Sequence, residues 1–298
     1  MRVTIIGLGL IGGSIAIDLR KKGVATSLIG VDQNDDHAQE ALRLGIVDEV
    51  SGLADAIENT DLIILSIPVS AMVGAIGDIL NKVAPNVTII DTGSTKGALC
   101  KSIKSNSNRG QFVAAHPIAG TENSGPSAAF SGLFKNKTMI VCEKELSSEA
   151  ALSVANQVFA ALCVKTIFME PVEHDKHVAY VSHLSHVSSF LLGQTVMDIE
   201  KDEKNIFDLA GSGFASTVRL AKSSPDMWAP IFEQNVEYLS QALLEYIMHL
   251  QRFHYHLMKK DSKEIHRIMT DANEIRRVLS GIELKDEKTN RVESLIEE

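Results

Sequence analysis

Residues 1–32 read MRVTIIGLGLIGGSIAIDLRKKGVATSLIGVD, and this stretch decides the fold. An apolar run (3–6) enters Gly7-Leu8-Gly9-Leu10-Ile11-Gly12, a helix-length segment stops at Arg20-Lys21-Lys22-Gly23, and a second apolar run (28–31) ends at Asp32. Strand, glycine turn, helix and strand open a dinucleotide-binding βαβ unit. Gly7, Gly9 and Gly12 serve the tight turn, the close approach of backbone to a pyrophosphate and the packing of helix on strand. The helix that starts with Leu10 and Ile11 turns unpaired amides and a positive dipole end toward phosphates. Asp32 follows Gly12 by 20 residues, where a ribose-binding carboxylate belongs. A carboxylate there accepts from the free ribose hydroxyls of NAD and repels a 2'-phosphate, and Asp35 and Asp36 add to the repulsion. The cofactor expected is NAD rather than NADP. The same apolar stretch after Arg2 imitates a secretory leader, but its glycines interrupt the apolar core such a leader needs.

Further apolar runs at 62–67, 88–90, 112–115 and 139–141 bring the strands to six. Each is nearly continuous in apolar residues, as strands covered on both faces are, and helix-length segments separate them. The class expected is an α/β Rossmann fold, a doubly wound parallel sheet. After Pro171 strand-like runs stop and long helices follow. Ser224 and Pro225 suit the start of one of them, and Val236, Leu239, Leu243, Ile247, Leu250, Phe253 and Leu257 form a stripe at helical spacing. That stripe reads as an interface between two copies. The organisation expected is a Rossmann domain (1–170), an all-helical substrate and dimerisation domain (171–282) and a charged tail (283–298).

Composition excludes several classes of function. The 298 residues are 45% apolar and 22% charged, which suits a folded globular chain and neither disorder nor a membrane span. A net charge of -9 gives no footprint for nucleic acid or an anionic bilayer. Three cysteines, Cys100, Cys142 and Cys163, without CxxC spacing, point to a reducing compartment, the cytoplasm, and to no structural zinc.

An enzyme that oxidises a hydroxyl with nicotinamide needs a group to take the alcohol proton, and histidine suits neutral pH. His116 stands at the end of the fifth run, and Ser94 and Lys96 follow the fourth, so all three reach the sheet edge where α/β folds bind ligands. His174, His177, His183 and His186 invite a metal reading. The nine-residue step from His174 to His183 puts those two on opposite faces of a regular helix, so no metal site is expected. His183 reads as a packed histidine, and His174 with Asp175 as a structural pair near a helix start.

GLGLIGGS (7–14), DTGSTKG (91–97), HPIAGTENSG (116–125), HDKHVAYVSHLSH (174–186) and GSGFASTVRLAKSSPDMW (211–228) occur in the order seen in the prephenate dehydrogenases of tyrosine biosynthesis. The chain resembles that family from residue 1 to about 281, as a stand-alone form without a mutase or regulatory domain. The resemblance implies NAD-dependent oxidation of the ring hydroxyl of prephenate with loss of the ring carboxylate as carbon dioxide, giving 4-hydroxyphenylpyruvate. It implies that His116 accepts the hydroxyl proton and that Ser94 hydrogen-bonds that hydroxyl and His116. His186 is implied to contact substrate, and Arg219 to hold a substrate carboxylate, which its planar fork suits. Trp228 matches an aromatic that reaches the site from its own or the partner subunit of an expected homodimer.

Thr121 and Glu122 match the family pattern, and Glu122 is a candidate gate or a contact for the amine of arogenate, the aminated relative of prephenate. Ala215 and Ser216 depart from it, since relatives often carry a basic and an acidic residue there, which puts the seat of the substrate side chain in doubt. Two rivals stay open: a 3-hydroxy-acid dehydrogenase working through a lysine, and an NAD-binding regulator in which Ser94, His116 and Arg219 would not converge.

Overall fold

The computed structural model describes residues 1–203 and 205–281; the charged tail expected from 283 lies outside them. Eight strands, β1 (Arg2–Ile6), β2 (Ser27–Val31), β3 (Glu49–Val50), β4 (Leu62–Leu65), β5 (Thr88–Asp91), β6 (Phe112–Ile118), β7 (Thr138–Cys142) and β8 (Lys165–Met169), form one sheet in the order β3-β2-β1-β4-β5-β6-β7-β8. Helices α1 (Leu10–Lys21), α2 (Asp35–Arg43), α3 (Leu53–Glu58), α4 (Val69–Lys82), α5 (Gly97–Ile103) and α6 (Glu149–Ala161) alternate with the strands. From Pro171 the described chain is helical, through α7 (Pro171–Val178), α8 (Leu184–Asp202), α9 (Ser212–Thr217), α10 (Pro225–Gln234), α11 (Val236–Met258) and α12 (Ser262–Ala272). The chain packs as two compact units, the first from Met1 to Leu239 and the second from Ser240 onward.

The side chains of the central strands alternate between two cores, as the two-residue period of a strand requires. Leu62, Ile64, Val3, Ile5 and Ile90 meet Ile15 and Leu19 of α1 and Ala38 and Ala41 of α2 on one face. Ile63, Leu65 and Ile89 meet Met72, Ile76 and Ile79 of α4 and Leu99 and Ile103 of α5 on the other. Burial on both faces explains why the sequence of β4 is unbroken Leu-Ile-Ile-Leu.

Two strands escaped the sequence reading. β3 is two residues long, and β8 is a partly exposed edge whose apolar pattern is diluted. The sheet is also not wholly parallel: β7 runs antiparallel to β6. Residues 119–137 contain no α-helix that could carry the chain back across the sheet, and without such a crossover two neighbouring strands pair antiparallel.

Candidate active site

The glycine turn after β1 is a cradle shaped by close contacts. Gly7 has φ +96°, and a Cβ there would stand 2.3 Å from the Ser66 carbonyl oxygen; one on Gly12 would stand 2.0 Å from that of Gly7. Nothing lies within 4 Å of a Cβ on Gly9, so its backbone is bare. Gly9 caps α1, whose first turn has no side-chain cap and no acidic residue, leaving its amides for an anion. Asp32, at the end of β2, accepts from the Leu8 amide at 2.8 Å and the Asn34 amide at 2.9 Å, which joins the ribose-binding position to the turn. A pyrophosphate against Gly9 and a ribose against Asp32 fit this arrangement. The side chain of Leu10 is part of the core, so only its amide is left to a cofactor, while Ile11 is partly buried beside it.

Across the sheet from that turn, one buried carboxylate organises a loop and a neighbouring strand. Asp91, last residue of β5, accepts from the Gly93 amide at 2.8 Å and the Ala115 amide at 2.9 Å, the residues just before Ser94 and His116. Its other partner is the ammonium of Lys96, and both side chains are completely buried. Ser94 and His116 are thereby set from a common anchor. His116 lies within β6 rather than beyond its end, opposite Ile140 of β7; it belongs to the sixth strand because β3 was not foreseen.

The Nδ1 of His116 meets Nε2 of His174 at 2.8 Å, and Nδ1 of His174 meets the Asp175 carboxylate at 2.7 Å. Asp175 also accepts the amides of Lys96 and Gly97, each at 2.8 Å. These bonds fix the tautomers in sequence. A carboxylate only accepts, so the proton of His174 sits on Nδ1; its Nε2 accepts from Nδ1–H of His116; Nε2 of His116 is left with a lone pair. No hydrogen bond joins Ser94 to His116 among the described residues, which corrects the expected pairing: the orienting partner of His116 is His174.

The electrostatics keep the His116 ring neutral. Burial, and then the neighbouring His174, Lys96 and His183, hold His116 well below the usual histidine range. Burial lowers His174 as well, against the opposing pull of Asp175. For Asp175 burial works upward, but the hydrogen bonds from His174 and from the amides of Lys96 and Gly97 outweigh it and keep the carboxyl below its ordinary value.

His174 and Asp175, read as a structural pair, are part of the hydrogen-bond chain that ends on His116, and His183, expected on the opposite helix face from His174, is buried as His174 is. Ala179–His183 winds as a π-helix between α7 and α8, and the wider turn slows the angular advance along the chain. His174 and His183 are both buried. The sequence gives one hint, a His-Asp pair three residues after the helix-starting Pro171.

The remaining candidates form a second cluster. His186 donates from Nδ1 to the Ser182 carbonyl at 3.0 Å and stacks on Trp228, ring centres 3.5 Å apart. Burial lowers its pKa, the Ser182 carbonyl opposes that, and Arg219 adds to it. Trp228 is buried in its own chain among Val69, Ile231, Phe190 and Phe232, and its indole N–H has no hydrogen-bond partner among the described residues. Arg219 pairs with Glu122 at 3.2 Å, the side chains 52% and 27% exposed. The hydroxyl of Thr121 accepts from the Asn123 amide at 3.2 Å and shapes the turn that carries Glu122. Farther along this connection, the Ser131 hydroxyl and the Gly132 amide donate to Asp18 of α1, tying the segment to the glycine-turn helix.

Residues 15–168 match the family model described as the prephenate dehydrogenase nucleotide-binding domain, and residues 170–271 match the prephenate dehydrogenase dimerization domain. The prephenate dehydrogenase of Bacillus subtilis (strain 168) is 28% identical over 282 residues, covering 92% of this chain and 75% of that protein. The crystal structure of prephenate dehydrogenase from A. aeolicus, in complex with hydroxyphenyl propionate and NAD+, superposes with a TM-score of 0.82 at 29% identity, covering 94% of this chain and 98% of that one. Synechocystis arogenate dehydrogenase superposes with a TM-score of 0.71 at 27% identity, covering 93% and 99%. With a glycine cradle, an acceptor carboxylate at Asp32 and a neutral, oriented His116, the chain belongs to the prephenate dehydrogenase family of NAD-dependent oxidoreductases.

Proposed function

We propose that the chain oxidises prephenate to 4-hydroxyphenylpyruvate and carbon dioxide. NAD, when bound, supplies the acceptor for the hydride that leaves the ring carbon bearing the hydroxyl. Nε2 of His116 takes the hydroxyl proton, and the imidazolium so formed is stabilised through His174 by the Asp175 carboxylate. Ser94, set by the same carboxylate as His116, donates toward the substrate oxygen. The bond to the ring carboxylate breaks, its electron pair completes the aromatic ring, and carbon dioxide departs. Arg219 and His186 hold the substrate carboxylates, with Thr121 and Glu122 at the entrance. The observation that carries the reading is the oriented chain His116–His174–Asp175.

Prephenate rather than arogenate is favoured by the likeness to the prephenate dehydrogenases of Bacillus subtilis and A. aeolicus. Arogenate is the second reading, favoured by the likeness to the Synechocystis enzyme. Reduction of nicotinamide measured at four combinations, prephenate or arogenate with NAD or NADP, decides between them. Turnover of prephenate with NAD is expected; preference for arogenate reassigns Glu122 to an amine, and no turnover from a protein that binds NAD sinks both.

The working form proposed is a homodimer through the helical region. Among the described residues, α8 exposes Leu191, Met197 and Ile199, and α11 exposes Leu244, Met248, Leu250 and Leu257, apolar surface that a second copy would cover. Light scattering at twice the chain mass is the expected result. A cytoplasmic location is proposed because Cys100, Cys142 and Cys163 are all free and Cys163 is exposed. No helix among the described residues is long and apolar enough to cross a membrane. The domain limits proposed remain 1–170 and 171–282.

A further inference from the structure

Asn235 lies between α10 and α11 and is almost completely buried. Its Nδ2 donates to the main-chain carbonyl of Asp175 at 2.7 Å and lies 3.1 Å from Nδ1 of His183. The carbonyl admits only a donor, so the amide orientation is fixed, and the second Nδ2 hydrogen points at His183. Nδ1 of His183 is then an acceptor and its proton sits on Nε2. His186, three residues later, has the opposite arrangement, since its Nδ1 donates to Ser182. The preceding residue, Gln234, accepts from the Thr95 hydroxyl at 2.7 Å, next to Ser94. One helix junction thus grips the Ser94 loop, the His174–Asp175 turn and His183.

We propose that Asn235 is a positioning residue: its two amide hydrogens seat the turn that carries His174 and Asp175 and hold His183 in the Nε2–H form. The proposal rests on His116 being the base, in the reading above. A charged His183 would oppose proton uptake by His116, and a His183 held neutral, with Nδ1 accepting, keeps that charge away. The groups that bear on His183 are Asp175 and His174 of α7, His186 of α8 and His116 of β6, with Trp228 and Phe232 of α10 against its ring. Burial first, with Asp175 opposing and His174 and His186 adding, lowers His183 to about 4.

The test uses Trp228, the single tryptophan of the chain, whose ring stands 5.8 Å from that of His183. A protonated imidazole quenches indole emission, so the emission titrates with its neighbours. Asn235→Asp replaces the donor with an acceptor, draws a proton onto Nδ1 of His183 and moves a quenching midpoint up toward neutrality. In Asn235→Asp/His183→Gln that midpoint disappears. With prephenate, Asn235→Asp lowers kcat about tenfold near neutral pH, raises the acid limb of the pH profile and leaves KM unraised. A merely structural loss would raise KM instead. An upward midpoint that persists in the double variant, or its absence in Asn235→Asp, overturns the proposal, and neither result depends on which substrate is turned over. Should Asn235→Asp not fold, nitrogen chemical shifts of histidine-labelled native protein decide: a protonated Nε2 and bare Nδ1 at His183 support the assignment, and the reverse refutes it.

Discussion

The two halves of the site are built on opposite physical terms. Around Asp91, every group is buried and hydrogen-bonded: Lys96, His116, His174 and Asp175 hold one another with bonds that leave each proton a single place. Around Arg219, about half the side chain is in solvent and its partner is a partly exposed carboxylate. A base must not move or change charge before its substrate arrives, and burial secures both. A group that receives an anion must give up its previous partner, and solvent makes that exchange easy. Rigidity where protons move and exposure where charge is captured is the division of labour this molecule suggests.

The sharpest way to break the comparison is at its buried end. Lys96→Met leaves the Asp91 carboxylate uncompensated with no water to solvate it, and the loss expected is roughly 3–5 kcal/mol of stability. Urea unfolding measures it, and a variant as stable as the native chain would mean that Asp91 is neutral or solvated. His116→Ala tests chemistry rather than folding: kcat falls about 100-fold or more, since positioned general bases contribute that much. Near normal turnover would remove His116 from its role.

Acid exposes the same buried region. His116, His174 and His183 are lowered from 6.5, His183 to about 4, so the unfolded chain binds protons that the folded chain refuses. These groups cost nothing above 6.5, where both states are neutral, and stability is lost as pH falls below it toward 4. Melting temperature followed over that window should drop, and His183→Gln should flatten the drop. Equal slopes in the two proteins would place the proton uptake elsewhere.

What the sequence could disclose follows the same division. Gly7, Gly9, Gly12 and Asp32 are legible because their spacing along 32 residues already encodes a turn, a helix and a strand end. His116 is legible as a reactive type directly after an apolar strand run. Its partner is not: His174 is 58 residues away, and only the packing of α7 against the sheet edge brings them together. The pairing of Glu122 with Arg219 spans 97 residues. Asn235 looks like an ordinary helix-breaking polar residue until its 60-residue contact with Asp175 is seen. The angular argument that separated His174 from His183 assumed a uniform helix, and the π-turn at Ala179–His183 is the irregularity that one sequence does not announce.

At the exposed end the effects are smaller and kinetic. Arg219→Ala is expected to raise KM for prephenate about tenfold or more, the scale of a lost charged hydrogen bond, with a lesser change in kcat. An unchanged KM would take Arg219 out of the site.

The smallest effect, and the most informative about the comparison, belongs to Glu122. Its carboxyl is held below the ordinary value, first by its own backbone amide, with burial opposing, and then by Arg219 and Lys222. Because both partners of the pair meet solvent, Glu122→Gln should leave the melting temperature unchanged within error. On the role proposed for Arg219, an entering substrate carboxylate displaces Glu122, so the neutral variant removes a competitor and should lower KM for prephenate modestly, more at low salt than at high, where screening already weakens the pair. A rise in KM would mean that Glu122 contacts the substrate instead of guarding the arginine, and the exposed half of the site would then be as fixed in its partners as the buried half.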